Sequence, residues 1–365
     1  MKEFLEQYKL DAVLVHTPAN MRNISGFTGE GLVYVSKEDA WILTDSRYTI
    51  AAAKESRGFE VLEYKRNMQQ YLMEKIVKEH PELAEKTFRI GFEDAVMTVE
   101  TYRTLEALFE KMNLKQWELV PLHKKIDKMR RIKTPEEIES IKKAEKIGDE
   151  AFTKVTDWLT KCYREKTSVT EKQVAAHIEF YMRDAGAEGT SFDTIAASGI
   201  HSSMPHAVPT DKVLEEGDFL TMDFGCMYQG YCSDMTRTIH IGEVVESEQK
   251  KVYDTVLQAQ LAALSVVKPG MVCSDVDKCA RDIIADAGYG DYFGHGLGHS
   301  VGLFIHEEPR FSMKCDAVLK PGVVITVEPG IYLPGRFGVR IEDMIVVTED
   351  GYQNLASSPK ELICV

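Results

Sequence analysis

The sequence has 365 residues, 44% of them hydrophobic and 28% charged, with a formal net charge of −14. This length exceeds the usual single-domain range, so two domains are the natural reading. The acidic balance argues against nucleic acid as a partner, because phosphate binding shows as clustered Lys and Arg. No stretch approaches the roughly 18 uninterrupted apolar residues of a membrane span, so no membrane partner is expected either.

The first residues, Met1-Lys2-Glu3-Phe4-Leu5-Glu6-Gln7-Tyr8, mix charges with apolar residues at helical spacing and lack both an apolar core and a small-residue cleavage site. They read as unprocessed and cytoplasmic. Residues 1–122 then alternate short β-rich runs, Ala12 to Val15, Leu32 to Val35 and Trp41 to Leu43, with helical stretches near 67–80 and 98–112. This predicts an α/β domain. The pattern breaks at Val120-Pro121-Leu122-His123, and residues 123–133 read as a linker whose basic run, Lys124-Lys125 to Arg130-Arg131-Ile132-Lys133, is a solvated segment and helix start.

A second, α+β domain is expected over 134–365. Its first helix is announced by Thr134-Pro135-Glu136-Glu137, a capping Thr with Pro in the first turn and Glu three residues after the cap. Ile138, Ile141, Ala144 and Ile147 form the face that packs on a sheet. Further helices are predicted from Thr170, with Gln173, to Gly186, from Ser247 to about Val267, and from Ser274, with Asp277, to Gly288. The strand candidates are Phe192 to Ala196, Phe219 to Phe224, Thr236 to Ile241, Val323 to Val327 and Val339 to Val347. Seven cysteines, an odd number with no C-x-x-C pair, argue against a disulfide framework or a zinc knuckle.

Five residues carry the chemical signal: Asp223, Asp234, His299, Glu328 and Glu342. Asp223 and Asp234 stand eleven residues apart around Tyr228-Gln229-Gly230, which has turn character, so a hairpin brings them together. Glu328 ends the apolar run Val323 to Val327, and Glu342 lies between Ile341 and the run Ile345 to Val347; an ionised carboxylate in such a place needs a cation or strong donors. His299 closes Gly294-His295-Gly296-Leu297-Gly298-His299, where glycines let the backbone approach closely. Four carboxylates and an imidazole suit two hard divalent ions with shared ligands, whereas a lone tetrahedral zinc would not need five. His201, His206, His295 and His306 surround this region in the sequence, and imidazoles can donate to a carbonyl oxygen as it becomes anionic.

The segments Met222-Asp223-Phe224-Gly225, Ser233 to Thr238, Gly294 to His299, Val327-Glu328-Pro329-Gly330 and Arg340-Ile341-Glu342-Asp343 resemble, in order, the five ligand motifs of the pita-bread metallopeptidases. That family includes aminopeptidase P, prolidase and methionine aminopeptidase. The runs Asn23 to Gly29 and Leu43 to Tyr48 resemble the creatinase-like domain that precedes the catalytic one in the proline-specific members, so the resemblance covers the whole chain. It implies a pita-bread catalytic domain and a dinuclear enzyme that cleaves Xaa-Pro bonds in dipeptides or at peptide N-termini. Asp223 would bind one ion, Asp234 and Glu342 would bridge both, and His299 and Glu328 would complete the second. It further implies a metal-bridged water as nucleophile, Glu328 as proton shuttle, His206 and His306 against the substrate, His295 lining the pocket and Arg340 supporting the ligands. Arg310 resembles the prolidase arginine that meets a dipeptide's C-terminal carboxylate. The expected ions are Mn²⁺, with Co²⁺ or Zn²⁺ as alternatives, and a homodimer is expected. A methionine aminopeptidase, a metal-free creatinase-like hydrolase and a non-catalytic binding protein are the competing readings.

Overall fold

Six strands form a mixed sheet in the first of two units, Met1–Arg130 and Arg131–Val365, of the computed structural model, which describes residues 1–365. Their order is Glu60–Glu63, Ala40–Thr44, Leu32–Ser36, Ala12–Val15, Phe88–Phe92 and Trp117–Pro121. Side chains alternate across this sheet. Leu14, Tyr34 and Trp41 pack against the helices Met68–Glu79 and Val99–Lys111, while Val13, Val33 and Ile42 pack with Leu5, Met21 and Ala52 on the other face. Burial on both faces explains why these strands read as unbroken apolar runs. The strands at 60–63, 88–92 and 117–121 escape the sequence pattern because each is interrupted by charge or glycine. The short helices Pro18–Ser25 and Thr49–Glu55 escape it because seven or eight residues hold too few turns to show a period.

The basic run is only in part the solvated segment its composition suggests: Lys124 and Lys128 are exposed. Arg130 is 7% and Lys133 5% exposed. Arg130 donates to Asn20 Oδ1 within the first unit, and Lys133 pairs with buried Glu307 at 3.1 Å within the second. Specific acceptors, invisible in a composition, make that burial possible.

The second unit is built from two half-cores. In one, the helices Pro135–Arg164 and Glu171–Asp184 cover the antiparallel strands Ile195–Ser198, Phe219–Phe224 and Met235–His240, joined through Met222, Phe224 and Met235. In the other, Ser247–Val266 and Cys273–Asp286 cover the strands Val324–Val327 and Asp343–Val347 through Ile325, Val327 and Ile345. The helix starting at Pro135 has the expected Thr134–Glu137 capping box, and the one starting at Glu171 has its Thr170–Gln173 box. The third capping expectation fails. The helix begins at Cys273 with Val272 as its N-cap. The Cys273 and Ser274 amides donate to Ala317 O and Cys315 O, so a neighbouring segment satisfies the first turn and no side-chain cap is needed.

Two strand expectations are also corrected. The first strand of its sheet starts at Ile195 rather than Phe192. The run Val339 to Val347 is two strands, Phe337–Arg340 and Asp343–Val347, in different sheets. The chain changes sheet at Ile341-Glu342, where Ile341 N donates to Pro329 O and Glu342 N to Thr236 O. Hydrophobic runs do not record such a switch. It sets Glu342 at a corner of the backbone.

Candidate metal centre and active site

Period-two alternation puts the donors on the face opposite the helices. Met222 and Phe224 enter one half-core, so Asp223 between them faces away from it; Val327 and Ile341 enter the other, leaving Glu328 and Glu342 to point inward. The strands Phe219–Phe224 and Met235–His240 pair with Asp223 opposite Thr236, and the tight turn Gln229-Gly230, at φ 46° and 68°, closes the inner hairpin. The backbones run close here. A Cβ on Gly225 would lie 1.8 Å from Ser233 O, and one on Gly298 would lie 2.0 Å from Thr326 O, so only glycine fits beside Asp223 and beside His299.

All five expected donors line one cavity of about 600 Å³, together with His206, His295, His306, Arg310 and Arg340. One donor atom from each of Asp234, His299 and Glu342 lies within 4.8 Å of the others. His299 Nε2 is 3.4 Å from Asp234 Oδ2 and 3.5 Å from Glu328 Oε1. Its Nδ1 lies 3.2 Å from Ser300 O, a carbonyl that can only accept, so Nδ1 carries the proton and Nε2 is the atom turned to the carboxylates.

Electrostatically, the cluster is under-compensated. Burial pushes Asp234 up to about 6 and Glu328 up to about 7, and burial plus the charges of Asp234 and Glu328 hold Glu342 well above the carboxylate range. Burial alone would depress His299, but its bond to Asp234 and the charge of Glu328 outweigh that and raise it to about 9. Asp223 Oδ1 and Glu342 Oε1 are buried without a protein partner. Buried carboxylate oxygens without a hydrogen-bond donor, beside an imidazole nitrogen aimed at the cluster, fit a hard divalent cation. Asp223, Asp234, His299, Glu328 and Glu342 are the residues that would hold it.

Arg340 braces the cluster from behind. Its Nη2 donates to Asp223 Oδ2 at 2.6 Å, its Nε to Thr236 Oγ1 at 3.0 Å and its Nη1 to Tyr332 OH at 2.9 Å. Thr236 Oγ1 in turn donates to Glu342 Oε2 at 2.6 Å. The Tyr332 hydroxyl, occupied as an acceptor by Arg340, donates to His295 Nε2 at 2.8 Å, and His295 Nδ1 donates to Gly296 O at 2.8 Å. Burial, then the charge of Arg340, lowers His295 to about 4, so it is a neutral acceptor in this chain. The His306 ring meets that of His299 edge-on, 4.5 Å between centroids. Desolvation and the neighbouring His299 and Arg310 charges lower His306 to about 4 as well.

Arg310 lies at the cavity wall with its side chain 48% exposed, paired only through Nε to Glu308 Oε1 at 3.5 Å. His201 is absent from that wall. It faces Glu171, whose buried carboxylate also accepts from the amides and hydroxyls of Ser198 and Thr210 and so ties down both ends of the segment carrying His206. Tyr332 and Glu171 carry no signal in the sequence motifs, whereas Thr236 lies within the Ser233 to Thr238 motif, two residues after Asp234, where the period-two rule sets it on the same face.

The model of metallopeptidase family M24 matches residues 139–349, and that of the creatinase/prolidase N-terminal domain matches residues 1–132. The chain belongs to metallopeptidase family M24. Membership of a metallopeptidase family implies a divalent metal, which the donor set here accommodates. The chain is 39% identical over 368 residues to the Xaa-Pro dipeptidase of Pyrococcus furiosus, covering 99% of this chain and 97% of the relative. It superposes on the Xaa-Pro dipeptidase of Bacillus anthracis with a TM-score of 0.89 at 38% identity, covering 100% of this chain and 98% of that one. The X-Pro aminopeptidase of Thermotoga maritima gives a TM-score of 0.86 at 37% identity, covering 99% of each chain. The M24 enzyme therefore has the α/β N-terminal domain and pita-bread catalytic fold that its motifs imply.

Proposed function

We propose that this M24 enzyme is a proline peptidase that hydrolyses the Xaa-Pro bond, with two divalent ions held by Asp223, Asp234, His299, Glu328 and Glu342. The reading is carried by one observation, the convergence in one cavity of four carboxylates and an imidazole whose charge Arg340 and His299 balance only in part. Similarity along the full chain to two Xaa-Pro dipeptidases and an X-Pro aminopeptidase supports the substrate class. When bound, such ions supply an activated water near neutral pH and polarise the scissile carbonyl. Carboxylate-rich sites accept Mn²⁺ readily, and Mn²⁺ is the ion we expect. A homodimer in the cytoplasm belongs to the same reading.

The chain's own residues account for the rest. Glu328, on the cavity wall 3.5 Å from His299 Nε2, is placed to take a proton from the attacking water and return it. The group that needs that proton is the prolyl nitrogen, which has no hydrogen of its own before the bond breaks. Neutral His306, with His206 on the same cavity wall, is available to bond the substrate carbonyl. Arg340 and Thr236 keep Asp223 and Glu342 from moving.

Substrate length turns on Arg310. Its ion pair uses Nε alone and leaves the terminal nitrogens available to grip a carboxylate. We therefore favour dipeptides over longer chains. Arg310→Ala is expected to lower kcat/KM for a Xaa-Pro dipeptide about ten- to a hundredfold, the worth of a charged hydrogen bond, while sparing Xaa-Pro-Xaa peptides. Equal loss on both substrates would remove the carboxylate role.

A further inference from the structure

The loop Phe293 to Gly298 carries His295 and leads into His299, yet three of its six residues are glycine. Glycine backbone has the most freedom to lose, so the path of such a loop must be set by its neighbours. Two residues one turn apart on the helix Cys273–Asp286 meet it. Arg281 Nη1 donates to Phe293 O at 2.9 Å and Nη2 to His295 O at 2.7 Å, while Asp277 Oδ1 accepts from Leu297 N at 3.0 Å. The two side chains grip each other bidentately, at 2.9 and 3.0 Å, and the guanidinium lies 4.3 Å from the Phe293 ring centroid. Residues 293, 295 and 297 are thus held from the helix. On the other side, Gly296 and Gly298 press against strand backbone, where a Cβ would stand 2.8 Å from Phe311 O and 2.0 Å from Thr326 O. Asp277, fully buried, therefore does not cap its own helix; its bonds reach a loop twenty residues downstream.

We propose that Asp277 and Arg281 are positioning residues that aim His295 at Tyr332 and, through Tyr332 and Arg340, hold Asp223 in place. The bond to His295 O fixes the residue from which the imidazole reaches Tyr332 OH at 2.8 Å; Tyr332 meets Arg340 at 2.9 Å, and Arg340 meets Asp223 at 2.6 Å. A displacement of about 1 Å at His295 takes its Nε2 out of hydrogen-bond reach and frees the Arg340 side of the chain. The kinetic side of this proposal rests on the peptidase reading above. The loop geometry does not.

The test compares wild type, Arg281→Met, Asp277→Asn and His295→Ala, with Arg281→Met also made in the His295→Ala background. Three quantities are measured: kcat/KM on a Xaa-Pro dipeptide after Mn²⁺ loading, bound metal, and amide hydrogen exchange over 293–297. Arg281→Met is expected to lower kcat/KM about ten- to a hundredfold with metal content retained, and to speed exchange at 293–297. In the His295→Ala background the same substitution is expected to change kcat/KM by no more than about twofold. A full multiplicative loss in that background or unchanged exchange would each overturn the proposal. Where Arg281→Met does not fold, Arg281→Lys, which keeps the cation but not the fork, is expected to give the same pattern with a smaller loss. If wild type cleaves no Xaa-Pro peptide, the peptidase reading falls, and the exchange data alone still decide whether this pair holds the loop.

Discussion

Glu342 and Asp343 are neighbours in the chain, both buried and both carboxylates, and their surroundings push them in opposite directions. Asp343 accepts from Arg237, Gln260, Asn354 and Lys360 at 2.7 to 2.9 Å, and the two cations outweigh the effect of burial and hold it below the usual carboxylate range. Glu342 has one donor, Thr236, and an oxygen without a partner, and burial with the charges of Asp234, Glu328 and Asp223 presses it well above that range. One residue is finished by the protein. The other is left for something else to complete, and the backbone corner at Ile341-Glu342 sends the two side chains to these different fates.

The comparison breaks most sharply in function. Asp234→Asn is expected to abolish both metal retention and Xaa-Pro cleavage, read by metal analysis and a peptide assay; full activity in that variant would end the mechanism proposed here. Stability should separate the neighbours next. Asp343→Asn leaves Arg237 buried without its counter-charge and is expected to cost about 3–5 kcal/mol in urea denaturation, whereas Glu342→Gln in metal-free protein is expected to be neutral or stabilising. Equal costs would mean that the two carboxylates are not different in kind.

Acidity should separate them with opposite sign. The folded-state value of Asp343 is depressed, so its contribution is present above the unfolded pKa of about 4 and is lost as pH falls through the lower folded value. Asp234 and Glu328 are raised to about 6 and about 7, and His299 to about 9, so their contributions are present at low pH and lost as pH rises through those values. Metal-free protein is therefore expected to lose stability from about pH 5 to 9, and the loss to disappear when metal is bound. Chemical denaturation across that range with and without Mn²⁺ checks both signs. The smallest effect is expected at Thr236→Val, which removes the bridge between Arg340 and Glu342 and should lower kcat/KM about tenfold with the fold intact, as read by circular dichroism alongside the assay.

The sequence makes the donors legible because a charged residue interrupting an apolar strand, or a histidine among glycines, is a local anomaly that needs no tertiary information. Asp223, Glu328 and Glu342 stand out in this way, and the helices at Thr134 and Thr170 declare themselves through their capping boxes. What supports the donors is not local. Tyr332 gains its role only from Arg340 and His295, and Glu171 only from Ser198, His201 and Thr210, each on another part of the chain. Asp277 reads as half of a capping box because spacing cannot show that Cys315 O and Ala317 O already satisfy the helix start. Likewise Val339 to Val347 reads as one strand, since hydrophobicity does not record a change of sheet.

If the charge around Glu342 is there to hold metal for peptide hydrolysis, metal uptake and turnover must appear together. Calorimetric titration of metal-free protein with Mn²⁺ near pH 7, in two buffers of different ionisation enthalpy and followed by an Xaa-Pro assay, tests it most directly. About two ions per chain, proton release on binding and cleavage that appears with the bound metal are expected. Full Xaa-Pro cleavage by metal-free protein, or no Mn²⁺ uptake by folded chain, would contradict it.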